Sequence, residues 1–301
     1  MLSQKEIDYA GICLEGTDMI DKKRQVLQTI EGLMTSDGGG VNLKRIIGSP
    51  QLDTLDPFLL LDEFRSENPD DYLAGFPPHP HRGFETVTYM LQGSFRHKDS
   101  AGNEGLLTSG SVQWMTAGRG VIHSEMPEQE DGLVWGFQLW VNLPKKLKMT
   151  EPDYQDIPSE NIAVVNEEGV TVRIVTGIYN GTTGPASAKT GMSYMDVHLE
   201  SNTVFNHDLV DGWNSFVYVF EGSVKVGDEN EIFVGNLAVL DTEGEVQLSG
   251  GHEGGRCLLV AGEPLNEPIA RGGPFVMNTR GEVLQAFEDY QNGVFDKTIS
   301  R

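Results

Sequence analysis

Cysteine is scarce in this chain, positive charge is outnumbered, and no long apolar run interrupts it. The only two cysteines are Cys13 and Cys257. They are too few for a disulfide framework, and Cys257 lies in the apolar stretch CLLVA, where a buried free thiol is ordinary. This usage fits a reducing compartment. Lysine and arginine number 22 against 45 aspartates and glutamates, giving a net charge of -23. Such a surface repels phosphate backbones, which argues against nucleic-acid binding and leaves solubility, or a basic protein partner, as its consequence. No segment approaches the ~20 apolar residues of a membrane span. The first residues carry Lys5, Glu6 and Asp8 where a secretory signal has an apolar core. The cytoplasm is the expected location. Neither a Gly-x-Ser-x-Gly elbow nor a P-loop occurs. Gly118-Arg119-Gly120 reads as a tight turn before the segment of His123.

What is present is a succession of short strands broken by turn chemistry. Asp37-Gly38-Gly39-Gly40 separates a strand at 26–30 from one at 41–46, and residues 99–103 separate 94–98 from 104–108. Strands at this spacing predict an all-β fold, an antiparallel sandwich or barrel. Only the C-terminus reads as helical: Thr279 and Glu282 have capping-box spacing, followed by Leu284, Phe287 and Tyr290. The chain also repeats itself. VTYMLQGSF at 87–95 resembles FVYVFEGSV at 216–224, with Tyr89 and Tyr218 129 positions apart, and GSVQWM at 110–115 resembles GNLAVL at 235–240 at an offset of 125. Two β-domains in tandem follow, joined near the basic cluster at 143–148.

The chemistry concentrates in two short pairs. His79-Pro80-His81 and His123-Ser124-Glu125 each place two ligand-type residues one apart. On an extended strand such residues point to the same side. Two neighbouring strands can therefore aim three imidazoles and a carboxylate at one point, a ligand set for a divalent transition metal. Glu85, four residues after His81, shares parity with the first pair on a continuing strand, so spacing leaves Glu85 and Glu125 open as the carboxylate. Pro80 cannot donate to a ladder, which puts residues 77–81 at a sheet edge or rim. His97, between Arg96 and Lys98, is expected to be solvent-exposed, and His198, His207 and His252 have no partner at ligand spacing. At the corresponding repeat offsets the second domain carries Asp208, Val210, Leu248 and Gly250, so metal is expected only in the first. The lack of a thiolate argues against a closed structural zinc site. The donor set suits iron(II) first, with zinc, manganese, nickel, copper or cobalt as alternatives on purification. Four side chains leave positions open for oxygen or a chelating substrate.

At these residues the chain resembles the pirin family of the cupin superfamily. The stretches carrying the resemblance are LDPFLLLDEF at 55–64, FPPHPHRGFETVTY at 76–89, QWMTAGRGVIHSEMP at 113–127, QLWVNLP at 138–144, AGEPLNEPI at 261–269 and GPFVMNT at 273–279. The resemblance implies a bicupin: two tandem jelly-roll-like β-barrels with a short C-terminal helix. It implies an extension at 1–22, a metal-binding domain at 23–147 and a metal-free domain at 148–301. It also implies His79, His81, His123 and Glu125 as metal ligands. Glu125 would then also be a candidate proton acceptor, and Glu85 a group orienting an imidazole or lining the pocket. The expected activity is that of a quercetin 2,3-dioxygenase, acting with dioxygen on flavonol-like enols. The alternative is a metal- or redox-sensing regulator working through a protein partner.

Overall fold

A computed structural model of the protein describes residues 22–227 and 230–296. Cys13 and the expected extension, apart from Lys22, lie outside them. Among the described residues the architecture is all-β with one α-helix, in two domains. Cys257 is a buried free thiol in the second.

The first domain is built on β2 (Leu33–Asp37), β3 (Val41–Ile47), β4 (Phe58–Ser66), β5 (Phe76–His81), β6 (Phe84–Gln92), β7 (Phe95–Asp99), β8 (Glu104–Leu107), β9 (Val112–Thr116), β10 (Val121–Pro127), β11 (Val134–Asn142) and β12 (Asp153–Ile157), after a first strand β1 (Val26–Glu31). Seven strands form one antiparallel sheet in the order β12-β9-β6-β11-β4-β3-β2, and four form another in the order β5-β10-β7-β8. Alternation along β6 explains how the layers stack. Val87 and Tyr89 join Phe137 and Leu139 of β11 in a core shared with Tyr194, Phe216, Tyr218 and Leu258 of the second domain. The intervening Thr88 and Met90 face inward, toward β10 and the cluster of Phe95 and Leu107. β6 is thus buried on both faces, with Glu85, Thr86 and Thr88 among its buried side chains. The second domain is a single nine-stranded antiparallel sheet built on the long strands Asn214–Val226 and Glu245–Gly262, with its own core around Val172, Val197, Val217 and Leu259.

The sheets do not part at 147/148. β1 pairs with Asn236–Leu240 in the second domain's sheet, whereas β12 pairs with β9 in the first. Asp37–Gly40 therefore connects β2 to β3, not β1 to β3. Residues 270–296 return to the first domain, with a bridge between Arg82 and Phe275. The cluster at 143–148 is not a free linker either. Lys148 is buried and donates to the carbonyls of Gly83 and Val276 and to Asn142 Oδ1, and burial pulls its ammonium down to about 8. The turns at 99–103 and 118–120 form as expected. Helix α1 (Arg280–Gln291) begins with the Thr279/Glu282 capping box, but its buried residues are Val283 and Ala286, while Leu284, Phe287 and Tyr290 stay exposed.

Arg24 fastens β1 to its adopted sheet. Its guanidinium is fully buried and donates to the carbonyls of Val210, Trp213, Asp241 and Gly244 and to Ser215 Oγ. Replacing it strands several acceptors at once. Arg24→Met is expected to lower stability by about 3 kcal/mol in urea denaturation. A wild-type midpoint would show that this anchor is dispensable.

Candidate metal centre

β5 lies at the edge of the four-stranded sheet, the position that Pro78 and Pro80 require, and pairs only with β10. In the register His123 lies opposite His79 and Val121 opposite His81. Residues directly opposite one another project to the same face. The three imidazoles accordingly meet, with ring centroids 4.7 Å (His79–His81), 4.3 Å (His79–His123) and 4.9 Å (His81–His123) apart. One ring nitrogen of each lies within 4.8 Å of the other two.

The surroundings of the three rings differ. His79 Nδ1 lies 2.8 Å from the Pro77 carbonyl, to which it donates, and its Nε2 lies 3.0 Å from His81 Nε2. Burial first, and then the neighbouring imidazoles, hold His81 and His123 well below the ordinary histidine range. His81 Nδ1 and His123 Nε2 are buried without a hydrogen-bond partner. Three converging imidazoles, two of them with an orphaned buried nitrogen, fit a divalent metal ion.

The two candidate carboxylates are placed differently. Glu125 is buried in the same barrel, accepting from Thr88 Oγ1 at 3.0 Å and from Gln138 Nε2 at 3.0 Å, and it stands outside the cluster of histidine nitrogens. Glu85 points the opposite way. Its carboxylate accepts from Thr116 Oγ1 at 2.6 Å and from the Lys189 backbone N–H at 3.4 Å, and burial raises its carboxyl. The expectation that Glu85 orients an imidazole or lines the pocket is corrected by this. The parity count assumed one continuing strand, but the chain breaks between β5 and β6 at Gly83, whose φ is +91°. A β-carbon there would strike the Val276 carbonyl. Past that break Glu85 falls on the face of Val87 and Tyr89, toward the second domain.

His97 is also corrected: it is buried, not exposed. It lies opposite Glu125 in the β10–β7 register, stacks on Tyr154 at 4.7 Å, and brings Nδ1 to 3.5 Å from His123 Nδ1. Arg96 and Lys98 made the segment look solvated, yet Phe95, His97 and Asp99 share the inward parity. Thr88, Gln138 and Trp140 were not picked out from the sequence either. Gln138 and Trp140 are two apart on β11, a spacing that places both on one face, and the Trp140 ring packs 5.0 Å from His81.

A cavity of about 580 Å³ opens beside His79 and His81. Trp140, Phe76 and Gln138 line it, with Arg45 on one wall and Arg271 and Pro274 reaching in from the C-terminal segment. Arg45 is held by Asp62 and Asp37, and burial pushes Asp62 up to about 6 against the pull of Arg45. Among the described residues no helix is long and apolar enough to cross a membrane.

Comparison with known proteins agrees with this geometry. The pirin family model matches residues 40–141 and the pirin C-terminal cupin domain model matches 194–296. A pirin-like protein of Caulobacter vibrioides is 46% identical over 280 residues, covering 90% of this chain and 99% of that one. The crystal structure of a quercetin 2,3-dioxygenase from Acinetobacter baumannii superposes with a TM-score of 0.85 at 37% identity, covering 91% of this chain and 99% of that one. A bacterial pirin from Escherichia coli, solved in complex with nickel(II), shares the fold with a TM-score of 0.64 at 18% identity, covering 79% of this chain and 99% of that one.

The placement of the carboxylates generates a test. In competition titrations with a chromogenic chelator, His81→Ala is expected to weaken zinc binding by about 100-fold or more, and Glu85→Gln by less than about threefold. Equal losses in both variants would contradict the assignment of Glu85 to the domain interface.

Proposed function

We propose a function from one premise: this chain belongs to the pirin family. Within it, we read the protein as an iron(II)-dependent dioxygenase acting on flavonol-like enols. The observation that carries this reading is a cluster of three imidazoles at the wall of an aromatic-lined cavity large enough for a flat organic substrate. The similarity to a quercetin 2,3-dioxygenase supports it.

His79, His81 and His123 are the proposed metal ligands, with Glu125 as the fourth. An ion bound there supplies Lewis acidity toward an enolic hydroxyl and a meeting point with dioxygen. The chain's own residues do the remainder. Trp140 and Phe76 line the cavity and bound the space in which a conjugated ring would lie. Glu125 is the proposed acceptor of the enol proton. Gln138 and Thr88, which donate to its carboxylate, restrict where it can point. Trp140 Nε1 lies 3.4 Å from Gln138 Oε1, tying the cavity wall to the same group. The scarcity of cysteine and the unpaired thiol of Cys257 support action in a reducing, cytoplasmic setting.

Protein reconstituted with iron(II) under anaerobic conditions is expected to consume dioxygen when quercetin is added, in step with loss of the flavonol absorbance. Glu125→Gln should slow this by about 100-fold or more. Reconstituted protein that leaves quercetin unchanged under air would overturn the proposal.

A further inference from the structure

The cavity beside the histidines carries two arginines, and they are not equivalent. Arg45 is neutralised: Nε lies 2.9 Å from Asp62 Oδ1, and Nη2 lies 2.7 Å from both Asp62 Oδ2 and Asp37 Oδ2. Arg271 has no carboxylate partner among the described residues. Its guanidinium donates only to the Leu59 carbonyl at 3.3 Å and sits 5.0 Å over the Trp140 ring. The other charged groups whose fields reach it are Arg45, Asp53, Asp62 and Asp37, and the two aspartates beside Arg45 are already engaged by it. A guanidinium left with one carbonyl and one aromatic face keeps most of its donors available.

Its position gives that availability a use. Trp140 neighbours both groups, with the His81 ring centroid 5.0 Å from the indole and the Arg271 guanidinium 5.0 Å from an indole ring centroid. His79, His81 and Arg271 all line the same cavity, so one molecule filling it could meet both the histidines and the guanidinium. The arginine comes from the strand Ala270–Gly272, so the second half of the chain completes a cavity centred on the first.

We propose that Arg271 selects the substrate: it binds a carboxylate at the end of the molecule remote from the chelating enol. The preferred ligand is therefore a conjugated enol bearing an anionic group, favoured over a neutral flavonol. This inference rests on the dioxygenase reading for the enol end and on Arg271 alone for the anionic end. Paired arginine and carboxylate groups make short, charge-assisted hydrogen bonds, with the planar fork matching the two oxygens.

The test uses zinc-loaded, full-length protein, in which no oxidation complicates equilibrium binding. Calorimetry compares 3-hydroxyflavone with its B-ring carboxylate. The carboxylate is expected to bind the wild type about tenfold more tightly. Arg271→Gln should erase this preference, Arg271→Lys should retain part of it, and the neutral flavone should change by less than about twofold in both variants. Arg271 is exposed, so a thermal melt should confirm that both variants are folded. Equal affinities for the two ligands in the wild type, or a preference that survives in Arg271→Gln, would overturn the proposal. Parallel oxygen uptake with iron-loaded protein separates the two readings. Turnover of both flavonols without preference sinks the role of Arg271 and leaves the dioxygenase standing. An Arg271-dependent preference without turnover does the reverse.

Discussion

The pairing of the edge strand β5 with β10 is the constraint on which the rest of the site depends. One register, His123 opposite His79, brings two His-bearing segments separated by some 40 residues of chain into a single cluster. A slip of one residue would turn one set of ring nitrogens away from the other, because side chains alternate faces along a strand. The prolines that exclude the first motif from a central strand place it on an edge, where one face of the barrel mouth remains open. Burial then keeps His81 and His123 uncharged, the form in which imidazole binds a metal.

The second domain does more than repeat the first. It covers the outer face of the first domain's large sheet with a shared aromatic core, and polar side chains cross that core. Tyr218 donates to Glu63 at 2.5 Å, and Tyr89 donates to Asp196 at 2.6 Å. Glu85 belongs to this seam. The C-terminal segment then braces the metal strand from outside. Arg82, next to His81, donates to Asp289 of the helix at 2.7 Å and to the Arg119 carbonyl in the turn ahead of β10. Both histidine-bearing strands are thus tied to elements remote in sequence, which suits a site whose side chains must stay within fractions of an ångström of their places.

Much of this was legible in the sequence. Two-residue spacing, proline at the edge and the internal repeat pointed to an all-β pair of domains and to the three histidines. What failed did so for identifiable reasons. Parity on its own could not choose between Glu85 and Glu125, since the broken strand at Gly83 is invisible to a count of residues. His97 was hidden by charged neighbours that point the other way. The exchange of β1 and β12 between the two sheets depends on long-range pairing that no local pattern encodes. Arg271 lies 190 residues beyond His81 and 148 beyond His123, and it enters their cavity only because the chain folds back.

The central claim is that one metal ion is held by three imidazoles and one carboxylate at the mouth of the first domain. X-ray absorption spectroscopy of iron(II)-loaded protein, with metal content measured in parallel, tests it most directly. The account predicts one iron per chain, a shell containing three imidazole nitrogens, and a change in that shell confined to one oxygen donor in Glu125→Gln. A spectrum with fewer imidazoles, or one unaltered by His123→Ala, would contradict it.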